Sequence, residues 1–258
     1  MTTRLKNLRE ALLMILTFSS GAVDAVCFVA FGKVFTAFMT GNLVFLGIGA
    51  AGAFKPNGPS LIRVGVVIAA FIVGVFIAAR IIKRSRRSRV AGRGLSVSLA
   101  GVLILQLVFL AGWIAVSGHP SSTFATVLTA VEAVAMGMQS GAVGSLEVKS
   151  VFTTAATATL VNLSREAADR RSSDTDPGRL ARILICLIAG ATAGGLLLVH
   201  ARTYAPVLST LATAAALGVN LQARREARLV VPSSRDLVTT GDDPFVAGDP
   251  TVGYGEAA

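Results

Sequence analysis

The sequence predicts an all-α integral membrane protein: six transmembrane helices plus two re-entrant or broken helical segments, arranged as two inverted-topology repeats. Three observations carry this expectation. Apolar runs are as long as a bilayer is thick, the second half of the chain repeats the first, and basic residues sort to one side of the resulting topology.

Of the 258 residues, 53% are hydrophobic and 15% charged, with a mean hydropathy of +0.69. A water-soluble domain carries more charge than this. The apolar residues are gathered in eight runs: 11–31, 34–52, 61–82, 95–117, 124–146, 151–164, 180–199 and 205–221. A helix needs about 20 residues to cross about 30 Å of hydrocarbon, and most of the runs reach or approach that length. Arg4, Lys6 and Arg9 precede the first run, as in a secretory signal, but its apolar part is too long for a signal core and reads as an uncleaved span. The second run follows the first after Gly32 and Lys33 alone, and the sixth is short and rich in hydroxyls.

The net charge of +10 would suit nucleic acid in a soluble domain. Here the cations occupy the loops between apolar runs, where they orient a membrane protein, and no nucleic-acid-binding motif accompanies them. Cys27 and Cys186 each lie inside an apolar run and imply no disulfide framework. Residues 229–258 change to an acidic, Pro- and Gly-containing composition with Asp236, Asp242, Asp243, Asp249 and Glu256, which reads as a disordered cytoplasmic tail.

The stretch from Val34 to Leu46 aligns without gaps on Val151 to Leu163, and seven of the thirteen pairs are identical. Phe35 falls on Phe152, an offset of 117 residues that also carries the first and third runs onto the fifth and seventh and the fourth approximately onto the eighth. Residues 1–117 and 118–228 are therefore read as two membrane repeats of four segments each.

Charge decides how these segments cross. If all eight span, Lys and Arg divide 14 against 10 between the two faces. If the second and sixth enter and return on the same side, every basic residue except Lys33, Lys55, Arg63 and Arg202 lies on the cytoplasmic face, together with both termini. The second arrangement is expected, in an inner cell membrane. Each half then has three crossings, so the halves are inverted relative to one another. Run 34–52 dips from outside, run 151–164 dips from the cytoplasm, and the two should meet in the interior.

The dips hold the first site candidates. Thr36 and Thr40 are four apart, as are Thr153 and Thr157, so each pair would line one face of a helical turn, with Thr40, Gly41 and Asn42 at the break. One reading is a polar lining for a substrate path, with half-helix N-termini offering positive dipole ends. The other is that the hydroxyls bond back to their own helix while small residues let helices approach. Asp24 and Glu132 lie inside the first and fifth runs, at depths of roughly 10 and 12 Å from the outer end at 1.5 Å per residue. Carboxylates at one depth could share a proton, or each could bond a neighbouring helix. Gln139 lies in the same fifth run.

Other patterns are decoys. Residues 47–52, Gly-Ile-Gly-Ala-Ala-Gly, match a dinucleotide-binding pattern but lack the strand before and the helix after it. Gly137 to Gly141 and Gly190 to Gly194 have the spacing of close helix contacts. His119 and His200 stand singly, without companions that would make a metal site. Asn162-Leu163-Ser164 matches a glycosylation sequon inside a membrane segment.

With Gly21-Ala22-Val23-Asp24-Ala25, Gly32-Lys33-Val34-Phe35, Met39-Thr40-Gly41-Asn42 and Ala135-Met136-Gly137-Met138-Gln139 in view, the chain resembles the YoaK-like family of multi-pass bacterial membrane proteins, domain of unknown function 1275. The resemblance runs from about Leu12 to Gln222 and implies architecture rather than activity. Family members often carry a second Thr-Gly pair where this chain has Thr157-Ala158, a departure that argues against full symmetry of function between the two dips.

The expected function is a small transporter or permease-like protein with a polar site near the midplane; a membrane scaffold or assembly partner is the alternative. An enzyme is expected least, because no nucleophile with its base, no metal cluster and no cofactor motif stands out. The expected partners are the lipid bilayer and a small solute or ion, with no nucleic acid and no cofactor; homo-oligomerisation is left open.

Overall fold

The computed structural model describes residues 3–54, 58–87, 93–145, 160, 161, 164 and 177–230. Within them the chain forms α1 (Thr3–Ala30), α2 (Met39–Ala50), α3 (Leu61–Arg87), α4 (Arg93–Ala115), α5 (Ser122–Gly144), α6 (Pro177–His200), a 3₁₀ turn (Arg202–Tyr204) and α7 (Val207–Val230). All but α2 and the turn are long and apolar enough to cross a membrane, which makes six candidate spans among the described residues. The helix α2 has 12 residues, roughly 18 Å at 1.5 Å each, against about 30 Å of hydrocarbon.

Local chemistry sets several boundaries. Ser60 precedes α3 and accepts the Arg63 N–H at 3.4 Å, and Ser121 caps α5 by accepting the Phe124 N–H at 3.4 Å. Both are hydroxyl N-caps, which satisfy donors that have no partner inside the helix. Pro177 opens α6, where its missing N–H removes nothing from the helix. The helices run past the apolar stretches into charged residues, because at the water interface Lys and Arg are as good helix formers as Leu.

The packing is regular. Helix α1 lies against α6 and α7, α5 lies against α3 and α4, and α4 meets α7. Helices α1, α7, α4 and α5 thus form a ring, closed by a slight contact between α1 and α5, with α6 backing α1 and α3 backing α5. The α2 helix rests on α3.

Glycines bring the pairs together. A Cβ on Gly190 or Gly194 of α6 would overlap the carbonyls of Phe18 and Ala22 of α1; a Cβ on Gly137 of α5 would overlap Phe71 of α3. Gly141 of α5 abuts Val75 and Ala78 of α3. Both predicted Gly-x-x-x-Gly spacings are therefore close backbone contacts, the means by which helices associate where apolar burial offers no drive. On the opposite faces Ile62, Ile72, Phe76, Ile104, Ile185, Ile188 and Val199 are exposed, as lipid-facing residues are.

Candidate functional site

Two carboxyl side chains inside the bundle, Asp24 of α1 and Glu132 of α5, anchor the site, and their surroundings differ. After α1, Gly32 and Lys33 adopt φ of 81° and 65°, a left-handed pair that turns the chain back. Gly32 is suited to this because a Cβ there would be strained, and it would also crowd the Arg63 guanidinium. The returning stretch is held by stacked rings, Phe28 on Phe35 at 4.7 Å and Phe35 on Phe45 at 6.1 Å.

Asp24 then receives this stretch. Its Oδ1 accepts the N–H groups of Thr36 at 2.7 Å and Ala37 at 2.8 Å and the Thr36 hydroxyl at 3.1 Å, while Oδ2 accepts the Phe38 N–H at 3.1 Å. Phe38, at the N-cap of α2, has no side chain able to cap. Asp24 supplies that acceptor from another helix, at the positive end of the α2 dipole. The buried Asn42 completes the fold-back: its Oδ1 accepts the Phe35 N–H at 3.0 Å and its Nδ2 donates to the Phe35 carbonyl at 2.6 Å.

These contacts correct the reading of run 34–52. The break lies at residues 35–38, before Thr40-Gly41-Asn42, and Thr36 and Thr40 do not share a helical face: Thr36 is buried on Asp24, outside α2, and Thr40 is exposed. The tip of the half-helix offers its N–H groups to Asp24 and not to open space. Most of α2 faces outward with Leu43, Val44, Leu46 and Ile48, so the interior is reached by the stretch before it and by Asn42 and Phe45. Gly41 packs on the rings of Phe35 and Phe38, where a Cβ would stand at 2.8 Å. Thr153 and Thr157 lie outside the described residues, as does most of run 151–164.

Glu132 is fully buried on the ring side of α5. Its Oε1 accepts Gln106 Nε2 of α4 at 3.1 Å, while Glu132 Oε2 and Gln106 Oε1 have no hydrogen-bond partner. Gln139, also fully buried, donates Nε2 to the Leu16 carbonyl of α1 at 3.2 Å and leaves its Oε1 unpartnered. The Ser98 and Ser140 hydroxyls are unpartnered too. A buried polar group without a partner costs about 1–3 kcal/mol, so such a cluster calls for an explanation.

The cluster has an order along the bundle. Helices α4 and α5 run antiparallel, in a register marked by Gly112 against Leu128, Gln106 against Glu132 and Gly101 against Met138. Ser98 lies eight residues before Gln106 and Ser140 eight after Glu132, so both stand about 12 Å further along the seam. Two polar levels result, separated by buried Val102, Ala135 and Met136.

Sequence reasoning singled out Glu132 and Gln139 but missed Gln106, although an amide in the middle of an otherwise apolar run is a legible signal. It also missed Arg63, buried at the start of α3. The guanidinium donates to the carbonyl of Phe31, to the Ser122 carbonyl at 2.9 Å and hydroxyl at 3.1 Å, and to the Thr126 hydroxyl at 3.0 Å. One cation thereby fastens the end of α1 and the starts of α3 and α5. His119 and His200 lie exposed and pair through Nδ1 with backbone carbonyls of Ser117 and Leu196.

Comparison with known proteins places this architecture. The sequence profile described as Protein of unknown function (DUF1275) matches residues 12–219. The chain is 26% identical over 162 residues to the UPF0700 transmembrane protein YoaK of Bacillus subtilis (strain 168), covering 63% of this chain and 68% of that protein. No solved structure matches the chain. The profile reaches from the first span into the last and takes in the Asp24 clasp and the Gln106–Glu132 pair, and so this multi-pass membrane protein belongs to the DUF1275 family.

Proposed function

We propose that the protein is a small permease of a cell membrane and that a polar solute or ion passes along the seam between α4 and α5. One observation carries this reading: of the seven buried side-chain polar atoms without partners among the described residues, five, on Gln106, Glu132, Gln139, Ser98 and Ser140, lie on α4 and α5, and the other two are the Nε atoms of Arg179 and Arg224. A protein built only to hold a shape in lipid has no use for five such groups in its centre, whereas a path needs atoms free to take a transient ligand.

The helix pairing supports two inverted halves. Gly21 of α1 abuts Ala191 of α6, and Gly74 of α3 abuts Met138 of α5. The 117-residue offset carries one contact onto the other, Gly21 to Met138 and Gly74 to Ala191. With the basic residues placed in the cytoplasm, Glu132 lies in the outer half and Ser98 in the inner half, so the two polar levels face opposite solutions across the Val102 and Met136 layer.

Accessibility tests the reading. Single cysteines at Ser98, Gln106 and Gln139, in a background with Cys27 and Cys186 replaced by alanine, are treated with a small membrane-impermeant thiol reagent from each side. A path predicts reaction at Ser98 from the cytoplasmic side and at Gln106 from the other. Positions unreactive from both sides mean a packed interior and favour a membrane scaffold.

A further inference from the structure

Glu132 and Gln106 form an incomplete pair. The amide N–H of Gln106 already reaches one oxygen of Glu132, and what remains on the two side chains is one acceptor each, Glu132 Oε2 and Gln106 Oε1. An amide and a carboxylate can share one hydrogen bond of this kind. An amide and a carboxylic acid can share two, because the acid adds an O–H that the amide carbonyl accepts, closing a ring. A single proton on Oε2, donated to the Gln106 carbonyl, would satisfy both orphaned atoms at once.

Among the described residues nothing else near Glu132 offers to replace that proton. The titratable groups close enough to feel its charge are Asp24 and Cys27 on α1. Asp24 is engaged with the 36–38 backbone, and neither it nor a thiol brings a positive charge. On α3, Arg63 stands at the outer end and spends its donors on Phe31, Ser122 and Thr126. Arg93 opens α4, Arg202 lies in the 3₁₀ turn before α7 and Arg224 in the last third of α7, all away from the level of Gln106. A carboxylate fully buried without a cation is the arrangement proteins avoid by taking up a proton.

We propose that Glu132 is a reversible proton site, held as the acid half of a cyclic acid–amide pair with Gln106, and that its proton exchange couples solute movement to a proton gradient. The coupling role rests on the permease reading above; the proton site does not. In release, the Oε2–H bond breaks, the electron pair stays on the carboxylate and the proton passes to water on one face. In recovery, a proton from the other face re-forms the bond, so that one proton crosses per cycle. Gln106 acts as a positioning residue that holds the carboxyl group in the pair.

Infrared difference spectroscopy of the full-length protein in lipid tests the site without any transported solute. The wild type is expected to show the carbonyl stretch of an un-ionised, hydrogen-bonded carboxyl that disappears as pH is raised. Glu132→Gln should abolish it, Asp24→Asn should keep it, and Gln106→Leu should move it to higher frequency and shift its titration to a different pH. Carbodiimide labelling of the unmutated protein, read by peptide mass spectrometry, should mark Glu132 and not Asp24. A wild type without the band at any pH at which it stays folded overturns the proposal, as does a band that survives Glu132→Gln or labelling that falls on Asp24. Should the band behave as expected while the seam cysteines stay unreactive, the proton site stands and the permease reading falls.

Discussion

At the scale of single residues, the two intramembrane carboxyls divide the work. Asp24 receives four donors from the returning stretch, so its substitution acts on structure: Asp24→Ala strands the N–H groups of Thr36, Ala37 and Phe38. On the order of 3 kcal/mol should be lost. Thermal unfolding in detergent, followed through Trp113, the chain's single tryptophan, checks this: a clear fall in melting temperature is expected for Asp24→Ala and a smaller one for Asp24→Asn, which keeps one acceptor oxygen. An unchanged melting temperature would mean that the clasp contributes nothing. That both residues merit attention was legible in the sequence, because a carboxylate in an apolar run is expensive. Their difference was not, because it depends on which chain segment folds back onto Asp24, and only the left-handed turn at Gly32 and Lys33 decides that.

At the scale of elements, the spans were readable from length and hydropathy, and so were the close contacts from glycine spacing. The short α2 was readable only in part. Its run continues the apolar composition of the first span, but the non-helical residues 35–38 carry no Pro or Gly to announce the break; Asn42 and Asp24 hold that conformation through contacts seven and twelve or more residues away. The glycine interfaces yield a prediction at this scale. Gly190→Leu and Gly137→Leu would each drive a side chain into the backbone of the facing helix, α1 in one case and α3 in the other. Overpacking costs about 1–3 kcal/mol where neighbours can yield, and more against backbone. Both variants should reach the membrane at reduced yield and unfold at lower temperature, whereas Gly195→Leu, which would meet open space, should behave as wild type. Equal behaviour of the three would remove the packing argument.

At the scale of the whole molecule, the six-span arrangement was legible because charge and hydropathy act on entire segments, so errors at individual positions average out. The interior seam was not, because α4 and α5 bring their polar residues together only through antiparallel register. Topology is checked by cysteine probes placed at 58–60 and at 84–93. With both termini cytoplasmic, the first is labelled from outside and the second from the cytoplasm; labelling of both from one side would undo the inverted arrangement. The two rims of the bundle are also held by different means. On the rim where α3 and α5 begin, Arg63 is screened from solvent and grips neutral oxygens, and beside it Arg202 donates to the Gly118 carbonyl at 2.8 Å while Trp113 donates to the Arg202 carbonyl. On the opposite rim the ties include Arg4 with Glu226 at 3.0 Å and Arg182 with Glu10 at 3.8 Å, and both arginines are largely solvent-exposed. Dissolved salt weakens exposed ion pairs and leaves a sheltered guanidinium on carbonyls nearly untouched. Ionic strength therefore bears on the outermost ties of one mouth and spares the Arg63 ties of the other.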